Sequence, residues 1–236
     1  MISFFIPIRK GSKRVKDKNI KPLPGYRYGV TELKIKQLLR LKKLLKKQKK
    51  NDLSKFEFIV STDCAKTKKY LQKFKWLKIH NRPKELATDD SLDLLIKEVS
   101  NICSGKYILW THVTSPFFNE RDYLDFLVQF FKNKNKKSKS AFSADIINKF
   151  IFSKKKGGWV SHDANKKKWP RTQDLNNLFV ANSAAFIAER EVYKKNKDRL
   201  CKYTFPILTR DLSGFDLDNK KDFQHLKKLI NPRSKV

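Results

Sequence analysis

The sequence predicts an α/β fold built on a mostly parallel sheet. Three observations carry that expectation. Short, almost wholly apolar runs (Phe4 to Ile8, Phe56 to Ser61, Tyr107 to Trp110) read as strands buried on both faces. Amphipathic helical patterns separate them, so strand and helix alternate over roughly the first 130 residues and the connections must be crossovers. Each run ends in a polar or basic loop, and parallel sheets bind ligands outside the carboxyl ends of their strands.

The first strand breaks into the basic loop Arg9-Lys10-Gly11-Ser12-Lys13-Arg14, which continues through Lys18-Asn19 to Pro22-Leu23. Arg9, Lys13 and Lys18 supply cations, Gly11 lets the backbone come close to a ligand, and amides near Ser12 can donate to phosphate oxygens. Neither G-x-x-x-x-G-K-[ST] nor G-x-G-x-x-G spacing is present. Leu33, Leu38, Leu41, Leu44 and Leu45 then predict a helix over 31–50, with Thr31 as N-cap. The strand 56–61 leads to Thr62-Asp63 and a helix over 64–74 with Asp63 as its cap. Trp76 to His80 is a short strand, and Arg82-Pro83 opens a loop because proline biases its predecessor toward extended backbone. Leu92, Leu95, Ile96 and Val99 mark a helix over 91–103. The strand 106–112 ends at Thr114-Ser115-Pro116, and Asn119 caps a helix over 120–132. Residues 132–139 read as a solvated linker. Residues 140–181 read as a less regular insertion with strand pieces at 141–144 and 149–153 and a Gly157-Gly158 turn, serving as a lid, a dimer arm or surface decoration. Strands at 184–188 and 203–208, a strand end at 215–218 and a helix over 219–230 complete a single domain spanning 1–236.

Composition narrows the partners. The formal net charge is +32, which points either to a phosphate-bearing partner or to lysines spread over solvated faces. The lysines occur in nearly every helix and loop beside abundant Phe, Ile and Asn, so most of them belong to the second class. Cys64, Cys103 and Cys201 are odd in number and far apart, which argues against a disulfide framework or zinc module. No signal peptide is visible and no apolar run approaches the ~20 residues of a membrane span. A cytoplasmic location is the expectation.

Asp216 and Asp218 are one residue apart. In extended backbone such residues share a face, and two close carboxylates suit Mg²⁺ completed by water and phosphate. A cap on the last helix is the plainer alternative for Asp218. Beside a phosphate-cradling loop, the pair suggests a nucleoside triphosphate plus a metal, hence phosphoryl or nucleotidyl transfer. Asn182, among small residues, reads as a ligand contact or a turn asparagine. His112 reads first as a satisfied strand-end histidine.

In order along the chain, Ile6-Pro7-Ile8-Arg9-Lys10-Gly11-Ser12-Lys13 with Lys18-Asn19-Ile20-Lys21-Pro22-Leu23 resembles the block I-P-A-R-x-G-S-K-x-x-x-x-K-N-I-x-P-L. Ser61-Thr62-Asp63 resembles S-T-D, and Arg82 to Ala87 resembles R-P-x-E-L-A, followed by Asp89 and Ser91-Leu92-Asp93. Thr114-Ser115-Pro116 matches T-S-P, Asn182-Ser183-Ala184 resembles N-G-A, and Asp216-Leu217-Asp218 resembles D-I-D. These blocks are similar to those of the acylneuraminate cytidylyltransferase family, the CMP-sialic acid synthetases. The resemblance implies a three-layer α/β/α, Rossmann-like nucleotidyltransferase fold, a homodimer whose arm lies in 140–181, and CTP with Mg²⁺. Arg9, Ser12, Lys13, Lys18 and Asn19 would hold CTP, with Arg82 and Ser91 on the nucleotide. Lys18 and Arg9 would be catalytic, Asp216 and Asp218 would bind Mg²⁺, and His112 and Asn182 would meet the sugar.

The departures fall at the sugar end. His112 and Val113 stand where the family commonly has Gln and Pro. Val180 stands where many members have Arg, and Ser183 replaces the Gly of N-G-A. The expected activity is transfer of CMP to the anomeric hydroxyl of a sialic-acid-like nonulosonic acid for surface glycans. The alternatives are the same chemistry on another acid such as a 3-deoxy-octulosonate-like sugar, a member that binds CTP without turnover, and a basic nucleic-acid-binding protein for which the charge is the sole argument.

Overall fold

The computed structural model describes residues 1–48, 51–88 and 90–230. The expected helix end at Lys50, and Asp89, lie outside them. In chain order the elements are β1 (Ile2–Pro7), α1 (Gly29–Lys46), the one-turn α2 (Asn51–Ser54), β2 (Phe56–Thr62), α3 (Ala65–Leu71), β3 (Lys78–Asn81) and α4 (Leu92–Ile102). They continue with β4 (Tyr107–Thr111), α5 (Glu120–Asn133), β5 (Ser140–Ile147), β6 (Phe152–Ser153), β7 (Gly158–Trp159), β8 (Leu178–Glu189), α6 (Arg190–Asn196), β9 (Phe205–Leu208) and α7 (Lys220–Leu229).

Seven strands form one sheet in the order β3-β2-β1-β4-β8-β5-β9. β3, β2, β1 and β4 are mutually parallel, β5 pairs β9 in parallel, and β8 runs antiparallel between β4 and β5. The strand order reverses beside β1, so a crevice opens between the carboxyl ends of β1 and β4. Phe4 and Phe58 stack at 4.5 Å and pack with residues of α1, α3, α5 and α7 on one face. Phe5, Trp110 and Phe186 pack with α4 and α6 on the other. Burying each such ring contributes roughly 2–3 kcal/mol, and the outcome is the expected three layers.

Several expectations shift. Residues 140–147 and 178–181, expected within an irregular insertion, are central strands, because β5 pairs β8 along almost its whole length. The part outside the central sheet is 148–177, with its own β6–β7 pair. Helix α1 starts at Gly29 rather than Thr31, whose hydroxyl donates to Asn19 O at 2.6 Å instead of capping. Asp63 does not cap α3 either; Cys64 holds that position, and the Asp63 carboxylate accepts from Lys10 N at 2.8 Å. Asn119 does cap α5, with Asp122 completing a reciprocal capping box. Residues 215–218 are irregular rather than a strand end, and Asn219, not Asp218, caps α7.

At the amino ends of the strands, Glu57 accepts from Ser3 Oγ (2.5 Å), Ser104 Oγ (2.6 Å) and Lys78 Nζ (2.6 Å). Burial pushes its carboxyl pKa up, but Lys78 and the serine donors outweigh it and hold it at about 2. This staple joins β1, β2, β3 and the approach to β4 at the end opposite the crevice.

The β5–β8 register slips between Phe142 and Ala144. At the slip, Ser183 has a φ of 63°, in the left-handed region where a side chain costs about 1–2 kcal/mol. Glycine at this position removes that cost but loosens the unfolded chain. Ser183→Gly should therefore raise stability by about 0.5–1 kcal/mol. Urea unfolding reads this directly; a lower midpoint would show that the serine is not strained.

Candidate active site

The loop after β1 is shaped by backbone demands. Gly11 has a φ of 83°, and Asp17 at 54° starts a turn in which Ile20 N and Lys21 N both donate to Asp17 O. Asn19 Nδ2 donates to Arg9 O at 3.1 Å, which closes the loop on itself. Gly29, with a φ of 54°, packs so tightly that a Cβ there would sit 2.1 Å from Lys21 O. The loop is thus seated against the start of α1.

The crevice is a cavity of about 560 Å³, within the range of small-molecule sites. Arg9, Ser12, Lys13, Lys18, Asn19, Arg82, Ser91 and His112 all line it. Those eight come from four separate stretches of sequence. Thr88, Leu92, Leu95, Trp110 and Thr114 also face it, as does Arg14, which neighbours the expected residues of the loop. Burial of Arg82 pulls its pKa down to about 10, with the charge of Asp63 opposing and that of Arg9 adding, so it stays cationic at neutral pH. Its Nη2 donates to Ser61 O at 2.6 Å and its Nε to Ser61 Oγ at 3.1 Å, which fixes the guanidinium at the end of β2.

Asp216 and Asp218 stand beside the loop. Lys18 Nζ donates to Leu217 O at 2.7 Å and reaches Asp218 Oδ1 at 3.4 Å, while Arg14 Nη2 donates to the same oxygen at 3.0 Å. Leu217 N donates to Thr114 O at 2.8 Å, tying the acidic turn to the loop after β4. Asp216 is mostly buried; burial pushes its pKa up, against a hydrogen bond from Thr114, and its Oδ1 has no hydrogen-bond partner. A buried carboxylate oxygen left open beside a second carboxylate is the donor set a hard divalent cation takes with water and phosphate. These two residues therefore fit Mg²⁺.

Sequence reasoning missed Lys34 and Gln37. Both lie buried on α1, three residues apart, and face the loop after β4. Lys34 Nζ donates to Ser115 O (2.8 Å) and Phe118 O (2.7 Å) and sits 5.1 Å from the Tyr123 ring centre; Gln37 Nε2 donates to Pro116 O (2.7 Å). A lysine among leucines in a lysine-rich helix carries no signal that separates it from the solvated ones.

His112 lines the cavity, but both ring nitrogens are engaged. Its Nδ1–H donates to Ser183 O at 3.0 Å, and Nε2 accepts from Trp110 Nε1 at 2.7 Å. Burial, with the charge of Arg199 adding, lowers its pKa to about 3, so the ring is neutral. Asn182 does not line the cavity; it lies in β8, buried among Ser143, Asp145 and Thr209.

The chain is 24% identical over 226 residues to N-acylneuraminate cytidylyltransferases of Streptococcus agalactiae serotypes V and III, a match covering 94% of the chain. The match covers 51% of those proteins, so the chain spans about half the length of the curated relatives it matches. Among solved structures it shares its fold with a CMP:2-keto-3-deoxy-manno-octonic acid synthetase complexed with CTP, at a TM-score of 0.62 and 14% identity, over 97% of this chain and 98% of that one. A 4-diphosphocytidyl-2C-methyl-D-erythritol synthase from Anaerococcus prevotii superimposes with a TM-score of 0.64 and 13% identity, over 97% and 95% of the two chains. The match to the cytidylyltransferase family runs over residues 3–231, a range that includes the basic loop and the acidic turn; the chain belongs to that family.

Proposed function

We propose that this protein transfers CMP from CTP to the anomeric hydroxyl of an acidic sugar, releasing pyrophosphate. The observation that carries this reading is the convergence of Arg9, Ser12, Lys13, Lys18, Asn19 and Arg82 on one cavity, with the acidic turn of Asp216 and Asp218 held against its Lys18 and Arg14. Arg9, Ser12, Lys13 and Asn19 hold the triphosphate, and Arg82 and Ser91 hold the nucleoside. The acceptor hydroxyl forms a bond to the α-phosphorus, the bond from that phosphorus to the bridging oxygen of the β-phosphate breaks with its electron pair leaving on pyrophosphate, and the acceptor's proton passes to water or to the released pyrophosphate. Lys18 and Arg9 stabilise the charge that grows on the phosphate oxygens. Asp216 and Asp218 would hold Mg²⁺, which neutralises phosphate charge when bound.

The acceptor is a nonulosonic acid or a 3-deoxy-octulosonate-like sugar. The relatives by sequence carry the first name and a structural neighbour the second. His112, with both nitrogens engaged, offers no ring hydrogen bond to an acceptor, unlike the Gln expected there. The product would serve surface glycans, made in the cytoplasm; among the described residues no helix is long and apolar enough to cross a membrane. The segment 148–177 would form the arm of a homodimer. It exposes Phe152 and Trp169, at 57% and 66%, beside Phe150 and Trp159. The charge is distributed over the whole chain, which favours the enzyme over a nucleic-acid binder.

Pyrophosphate release tests the reading, with each nucleoside triphosphate, Mg²⁺ and a panel of sugar acids. Release with CTP that needs both metal and a sugar acid is expected. No release with any acid, or equal rates with ATP, would overturn it.

A further inference from the structure

Among the residues expected to meet the substrate, Asn182 stands apart from the cavity, and its amide has nothing left to offer a ligand. Oδ1 accepts from Ser143 Oγ at 2.7 Å and from Ala184 N at 3.4 Å. Nδ2 donates to Thr209 Oγ1 at 2.8 Å and to Asp145 Oδ1 at 3.1 Å. A side-chain amide has two acceptor sites and two donor hydrogens, so all four are spent. The Ala184 amide can only donate and the Asp145 carboxylate accepts, which fixes the amide's orientation.

The cluster has a second side. Thr209 Oγ1 in turn donates to Asp145 Oδ1 at 2.5 Å, and Thr209 N donates to Ala144 O at 2.9 Å, so the end of β9 is fastened to β5 and β8. Against this cluster packs the backbone of Gly214. A Cβ built there would lie 2.4 Å from Asp145 Oδ1, 2.7 Å from its Oδ2 and 2.8 Å from Asn182 Nδ2. Asp145 Oδ1 and Asn182 Nδ2 cannot give way cheaply, because each is held by the bonds just described. Gly214 ends a short 3₁₀ turn (Asp211–Gly214), and Asp216 follows two residues later.

We propose that Asn182, with Asp145 and Thr209, is a positioning residue: the cluster forms a seat for Gly214 and thereby sets where Asp216 presents its open oxygen to a divalent cation. The inference rests on the metal assignment made above. Asn182 then acts on the metal through the turn rather than on the sugar by contact. The Ser143 hydroxyl extends the seat into the register slip, since it also accepts from Ala185 N at 2.8 Å.

Two variants test this together. Asn182→Ala removes the amide, and Thr209→Val removes a hydroxyl that the cavity lining does not include. Mn²⁺ binding, read by electron paramagnetic resonance with CTP present, should weaken about tenfold in both. The double variant should be no weaker than either single one, as for groups acting as a unit. The half-saturating Mg²⁺ for pyrophosphate release should rise in step, while the acceptor KM at saturating Mg²⁺ changes less than twofold. Thr209→Ser, which keeps the hydroxyl, should restore wild-type Mn²⁺ binding. A raised acceptor KM in Asn182→Ala with unchanged Mn²⁺ affinity would overturn the proposal and return Asn182 to the sugar. Wild-type protein that binds CTP by calorimetry but no Mn²⁺ would overturn the metal assignment and this proposal with it. Failure to bind CTP at all would overturn the proposed function itself. Melting curves of each variant separate a lost fold from a lost metal.

Discussion

Lys18→Met should lower pyrophosphate release from CTP by about 10²–10³-fold, the usual effect of removing one preorganised donor from developing charge. Lys18 links the cavity to the acidic turn beside it. Its stem rises from the basic loop and its ammonium lies on Leu217 O and within 3.4 Å of Asp218 Oδ1. Only 17% of the side chain is exposed, so its contacts are poorly screened by water. Methionine keeps most of the volume and removes the charge. The loss should appear in kcat, with a smaller rise in the KM for CTP, because on the proposed assignment Arg9, Lys13 and Arg82 would still hold the nucleotide. Steady-state kinetics in CTP decides it. A kcat within threefold of wild type would take Lys18 out of the chemistry and leave it a tie between the basic loop and the acidic turn.

Gly29→Ala should cost about 3 kcal/mol of stability, combining left-handed backbone strain with overpacking. The neighbour that a methyl group would strike is not a side chain end. It is the Lys21 carbonyl, 2.1 Å away, with the Lys21 carbonyl carbon at 3.0 Å and its nitrogen at 3.2 Å. Relief demands that the whole basic loop move off α1. The same movement would part Asn19 O from Thr31, whose hydroxyl and amide both donate to it. Stability and nucleotide binding should therefore fall together, the first by urea unfolding and the second by CTP calorimetry. An unfolding midpoint equal to that of wild type would show that the loop and helix are not in fact locked.

The parallel half of the fold was legible because buried strands and amphipathic helices have different periods. The cavity was legible because its residues occupy the ends of those strands. β5 and β8 were harder. Ser140 to Ile147 mixes small, polar and apolar residues without clean alternation, and β8 begins with Leu178-Phe179-Val180, of which Phe179 and Val180 are exposed. Pairing across a register slip holds such strands together, and pairing is not written in either segment alone. The caps at Thr31 and Asp63 misled for one reason. Both side chains found tertiary partners in the basic loop, and a local motif cannot reveal a distant partner. Asn182 shows the same limit at the site, where a polar residue in a motif looks like a ligand contact until its hydrogen bonds can be counted.

The lysine that α1 buries beneath the loop after β4 also ties folding to proton release. Lys34 is fully buried. Burial lowers its pKa from 10.5 to about 7, although the charges of Asp122 and Glu120 oppose the fall. Below about pH 7 both the folded and the unfolded chain carry the proton, and the folded chain bears the whole cost of the buried charge. Between about 7 and 10.5 the unfolded chain keeps the proton while the folded one releases it, so this group makes the protein more stable as the solution turns alkaline. Unfolding midpoints should climb across that window in the wild type and climb less in Lys34→Met. Equal slopes would show that Lys34 does not titrate there. The chain as a whole carries a net charge of +32, and that self-repulsion relaxes only nearer the pI of about 10.1. Acid and neutral solutions thus find the chain holding a charge that its own interior would rather give up.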